Sequence, residues 1–160
     1  MPDRILLVYY SRSGTTATLA RAIAEATGAD VEELVDTVRR SGALGFVRSV
    51  RDAAARRPSA IEPLTRDPAV YDLVVVGGPD WGGAASGPVR TFLQSRRGRL
   101  PRVAFFLTDG TSDHEKVFRD MAELAGTDPV ATLGVPHDEV RPGGYEERVE
   151  AFARALRESA

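Results

Sequence analysis

A chain of 160 residues, 42% of them hydrophobic and 28% charged, has the size and composition of one folded domain spanning residues 1–160, not of a disordered or fibrous chain. The lack of cysteine excludes disulfides, thiolate metal sites and cysteine nucleophiles, and two histidines are too few for a zinc centre built on several imidazoles. A formal net charge of -2 gives no drive towards nucleic acid, no apolar run reaches the ~20 residues of a membrane span, and Met1, Pro2 and Asp3 do not open a signal peptide, so a cytoplasmic location is expected.

Residues 4–10 form an unbroken apolar run of strand length, as expected for a parallel strand covered on both faces. Small polar residues follow at 11–16. Ala17, Leu19, Ala20, Ala22, Ile23 and Ala26 then predict an alanine-rich amphipathic helix ending near Gly28. Residues 30–35 predict a short second strand and 42–57 a second helix. Across residues 39–57, Arg39, Arg40, Arg48, Arg51, Arg56 and Arg57 crowd around a single acid, Asp52. Such a cluster is either a solvated face or a docking face for an acidic partner, a pyrophosphate or anionic lipid.

Residues 59–71 carry two prolines, Pro63 and Pro68, and read as loop. A buried strand at 72–78 ends in glycines, and Pro88 opens a helix through Leu93. The remaining pattern is a strand at 102–108, a helix at 113–124, a strand at 130–135 and a terminal helix at 145–159. Strands alternating with helices predict an α/β fold, a doubly wound five-stranded parallel sheet with helices on both faces. If its order is 2-1-3-4-5, ligands bind outside the carboxyl ends of the strands, beside the switch point between the first and third.

Three loops stand at that edge. In the first, Ser11, Arg12, Ser13, Gly14, Thr15 and Thr16 place four hydroxyls and a glycine before a helix, a setting for an anion at the positive end of the dipole. It lacks the lysine of a Walker loop and the three spaced glycines of a dinucleotide fingerprint. An ordinary helix cap on Ser13 or Thr15 is the alternative. The second loop holds the single tryptophan, Trp81, in a glycine-rich stretch not expected to bury it, so its ring is available to a flat ligand; a ring folded over the neighbouring helix is the alternative. The third spans residues 108–113.

Taken together, these segments resemble the flavodoxins and flavodoxin-like FMN proteins, of short-chain type, along nearly the whole chain. The resemblance implies that Ser11, Ser13, Gly14, Thr15 and Thr16, with Arg12 beside them, hold the FMN phosphate. It implies that Pro79, Asp80, Trp81, Gly82 and Gly83 line one face and edge of the flavin, with Trp81 stacking. Thr108, Asp109, Gly110 and Thr111 would approach the pyrimidine end through main-chain donors. Gly82 or Gly83 would permit a peptide flip favouring one-electron transfer, and Asp80 and Asp109 near the ring would lower its potential. No side-chain catalyst and no metal are expected.

The implied function is electron transfer through FMN, with a redox partner protein or an NAD(P)H-linked reductase. Residues 108–113 contain no second aromatic to cover the flavin, and an open face suits the alternative of a small NAD(P)H-dependent reductase acting on quinones. A flavin-free interaction module is the third possibility. A receiver domain is disfavoured because Ser11, not an acid, follows the first strand and Lys116 is the single lysine. His114 is expected to be solvated at a helix start, and His137 to lie in a surface loop.

Overall fold

The computed structural model describes residues 3–37, 60–108, 110 and 114–160. The predicted helix at 42–57 and its arginine cluster lie outside the described residues, as do Asp109 and Thr111. Five strands, β1 (Ile5–Tyr9), β2 (Asp30–Glu33), β3 (Leu73–Pro79), β4 (Arg102–Thr108) and β5 (Thr132–Val135), form one sheet in the order β2-β1-β3-β4-β5. Every neighbouring pair is parallel, as in Leu7 against both Val31 and Val75, or Phe106 against Leu133. The expected order is therefore the observed one.

Alternation along the strands builds two cores. Leu6, Val8, Val74, Val76, Val103, Phe105 and Leu107 point to one face. There Val89, Phe92 and Leu93 of α2 (Gly87–Ser95) and Val117, Met121 and Ala125 of α3 (Glu115–Ala125) cover them. Leu7, Leu73, Val75, Ala104, Phe106 and Val135 point to the other face. It is covered by Leu19, Ala20 and Ile23 of α1 (Thr15–Thr27) and Val149, Phe152 and Leu156 of α4 (Glu146–Glu158). Among the described residues no helix is long and apolar enough to cross a membrane.

Two predicted boundaries move for a physical reason. The second strand leaves the parallel ladder after Glu33, because the chain beyond it turns to pair antiparallel through Asp36 and Ile61, with the Glu62 amide on Val35 O at 2.9 Å. The predicted loop before β3 is thus partly ordered by main-chain bonding. Glu32, buried on β2, accepts from the Thr65 amide and hydroxyl, both at 2.9 Å, and from the Arg66 amide at 2.8 Å. Alternation alone gave that carboxylate no partner; the partner lies 33 residues away.

At the other boundary, β3 runs through Gly77 and Gly78 to Pro79 instead of ending at the glycines. A Cβ on Gly77 would fall 2.1 Å from the Phe106 ring. The glycine is therefore a packing requirement of the sheet: it makes room for a buried aromatic on the neighbouring strand.

Candidate functional site

The carboxyl ends of β1, β3, β4 and β5 bring four loops to one edge. In the first, Gly14 adopts φ 99°, a left-handed conformation that admits glycine readily, and caps α1. The expected alternative of a Ser13 or Thr15 cap is not what forms. Instead Ser11 Oγ accepts from the Gly14 amide at 3.1 Å and the Ala17 amide at 3.2 Å, folding the loop over the helix start. No acidic side chain stands in the first turn of α1, so the positive end of its dipole is not offset there.

Thr16 departs from its expected role. Its hydroxyl is buried beneath the loop and meets Thr108 Oγ1 at 2.6 Å, with both residues at 1% exposure or less. The pair ties the first loop to the end of β4 and turns both hydroxyls away from solvent. Thr15 stays at the surface, with Ser13 Oγ 3.5 Å and His137 Nδ1 3.1 Å from its hydroxyl. His137 belongs to the short turn His137–Glu139 after β5. Nothing in its neighbours Pro136, Asp138 and Glu139 announces that contact; the one available signal was topological, since the turn follows a parallel strand at the ligand-binding edge.

The second loop is a tight reversal. The Trp81 amide donates to Ala84 O at 2.8 Å, Asp80 bridges Ala85, and Gly82 and Gly83 take φ 63° and 86°. Asp80 Oδ1 accepts from the Gly83 amide at 2.8 Å, and the Asp80 amide donates to Thr108 O at 2.8 Å. The expectation that Trp81 presents an open face is not met. The indole is 7% exposed and packs edge-on against Tyr10 at 5.6 Å between centroids. The ring joins the core cluster on the sheet face covered by α2 and α3.

The third loop meets the second through Asp80. A Cβ on Gly110, whose φ is 69°, would lie 2.6 Å from Asp80 Oδ2. The same oxygen is 3.9 Å from Nε2 of His114, which is buried at 7% exposure against Gly134 of β5. His114 is thus an inward-facing residue at the start of α3, not the solvated one expected. The Asp80 carboxylate serves the loop frame itself, where the sequence suggested a charge aimed at a ligand.

The family model described as Flavodoxin matches residues 4–131. The chain belongs to the flavodoxin family. A flavoprotein of Lactobacillus acidophilus NCFM, solved in complex with FMN, is similar to this flavodoxin-family chain with a TM-score of 0.71 and 23% identity, over 82% of this chain and 93% of that one. A solved protein of Bacteroides uniformis ATCC 8492 matches with a TM-score of 0.79 and 23% identity, over 96% and 99%. A flavodoxin, WrbA-like protein of Agrobacterium tumefaciens matches with 0.58 and 15%, over 99% of both chains. At these identities the likeness is one of fold, and the flavodoxin-like architecture read from the loops is the one found.

Proposed function

We propose that this flavodoxin-family chain binds FMN at the edge formed by residues 11–16, 79–83 and 108–111, and passes electrons through it. The observation that carries this reading is the hydroxyl-rich start of α1, with no acid in its first turn, set beside the β1/β3 switch point. The residues present fit the group. Among the described residues nothing lies within 4 Å of a Cβ built on Gly14, Gly82 or Gly83, so the two loops facing the switch point leave space beside their backbones.

FMN supplies the electron-accepting and electron-donating chemistry when bound. The protein's part is to hold and orient it. Ser11, through its two amide contacts, shapes the phosphate loop, while Ser13, Gly14, Thr15 and the flanking Arg12 face the anion. Thr16 and Thr108 anchor that loop from below. Pro79, Asp80, Trp81, Gly82 and Gly83 form the wall along the flavin with Gly110 beside Asp80, and the family resemblance assigns Asp109 and Thr111, outside the described residues, to the same end of the ring. Stacking by Trp81 requires the indole to turn from Tyr10, a motion its glycine neighbours permit.

Purified protein titrated with FMN and then reduced stepwise without oxygen tests this. A yellow complex taking up electrons one at a time supports a carrier working with a redox partner protein. Turnover of NADPH with a quinone would replace it with the reductase reading, and a protein that stays colourless in FMN would leave a flavin-free interaction module.

A further inference from the structure

His137 is 122 positions from Thr15 in sequence, yet its Nδ1 lies 3.1 Å from the Thr15 hydroxyl. The polarity of that bond has consequences. A threonine hydroxyl holds one proton and two lone pairs. If Thr15 donates to the ring, its proton is spent there and its oxygen confronts the helix N-terminus as an acceptor, unfavourable next to an anion. If the ring Nδ1–H donates, the hydroxyl keeps its proton for a second partner. A phosphate dianion offers acceptors alone, so the second arrangement is the one it selects.

We propose that His137 is a positioning residue of the phosphate site: its Nδ1–H holds the Thr15 hydroxyl as a donor towards the phosphate of bound FMN. This rests on the FMN reading above. The surroundings allow it. The first turn of α1 brings no carboxylate. Of the two acids beside His137, Glu139 is engaged by Arg148 at 2.5 Å. His137 is exposed and Thr15 half-buried, so substitutions at either leave the core intact.

The test compares FMN with riboflavin, which lacks the phosphate, by fluorescence titration of the full chain. Variants are His137→Ala, His137→Asn, Thr15→Val and the double variant His137→Ala/Thr15→Val. His137→Ala is expected to weaken FMN about tenfold while leaving riboflavin unchanged. Asparagine, with an amide N–H near the position of Nδ1, should restore affinity to within about threefold of wild type. In the Thr15→Val background, loss of the imidazole should change FMN affinity by less than about twofold. Wild-type FMN affinity in His137→Ala, equal losses for both flavins, or additive losses in the double variant would each overturn the proposal while the FMN reading stands. A wild-type chain that binds no FMN overturns both.

Discussion

Thr16 Oγ1 and Thr108 Oγ1 share one hydrogen bond 2.6 Å long, buried between the start of α1 and the end of β4. Each hydroxyl depends on the other for its pairing, so valine at one position strands its partner. Thr16→Val and Thr108→Val should each cost about 1–2 kcal/mol, and the double variant less than their sum, because removing both hydroxyls orphans neither. Urea denaturation of the four proteins measures the coupling; strictly additive losses would mean that the two hydroxyls do not depend on each other.

Asp80 joins two loops by accepting from the Gly83 amide at 2.8 Å and facing His114 at 3.9 Å. Asp80→Ala should lower stability by about 2 kcal/mol and weaken flavin binding, since the Gly83 amide loses its acceptor and the reversal at 80–85 loosens. Asp80→Asn keeps an acceptor oxygen and should retain most of both. Equal damage from the two variants would show that the negative charge matters more than the hydrogen bond.

Glycines 77 and 83 predict losses of different origin and size for the same substitution. Gly77→Ala drives a methyl group to 2.1 Å from the Phe106 ring within two packed strands and should cost about 3 kcal/mol or more. Adding Phe106→Leu should recover part of the loss. Gly83→Ala meets nothing within 4 Å and suffers from its φ of 86° alone, about 1–2 kcal/mol. Thermal unfolding of the three variants separates a packing penalty from a backbone one.

Two tyrosines tie stability to alkaline pH. Burial, and then the charge of the Glu33 carboxylate that accepts its hydrogen bond, push the Tyr9 phenol above its ordinary value of 10.0. Tyr71 is raised chiefly by its 2.7 Å hydrogen bond to Asp30. A group raised in the folded state contributes stability that is complete below the unfolded value and is lost as pH climbs through the folded one. Denaturant-measured stability should therefore be flat up to about pH 10 and fall beyond it, with a shallower fall in Tyr9→Phe. An unchanged slope in that variant would remove Tyr9 from the account.

The sheet was legible because burial on two faces leaves a local mark. Runs such as Ile5 to Tyr9 and Leu73 to Val76 are apolar at every position, and only a strand covered on both sides requires that. The ends of β2 and β3 were less legible. Whether the chain leaves the ladder at Glu33 depends on the residues near Ile61 that pair with it, and the glycines within β3 answer to neighbours in space, Gly77 to Phe106 and Gly78 to Val89. Of the candidate site, the glycines and hydroxyls stood out by type and position, but their uses did not: Thr16 was expected at the phosphate and lies under the loop.

By itself, then, the sequence determined the strand and helix succession, the parallel sheet it implies and the loops that reach the ligand edge, since hydrophobic period and loop chemistry are properties of neighbouring residues. Tertiary structure alone decided which side chains in those loops face inward. Trp81 rests on Tyr10, Asp80 meets Gly83 and His114, and Thr15 reaches His137, because strand order and helix packing set distances between segments that share no local pattern.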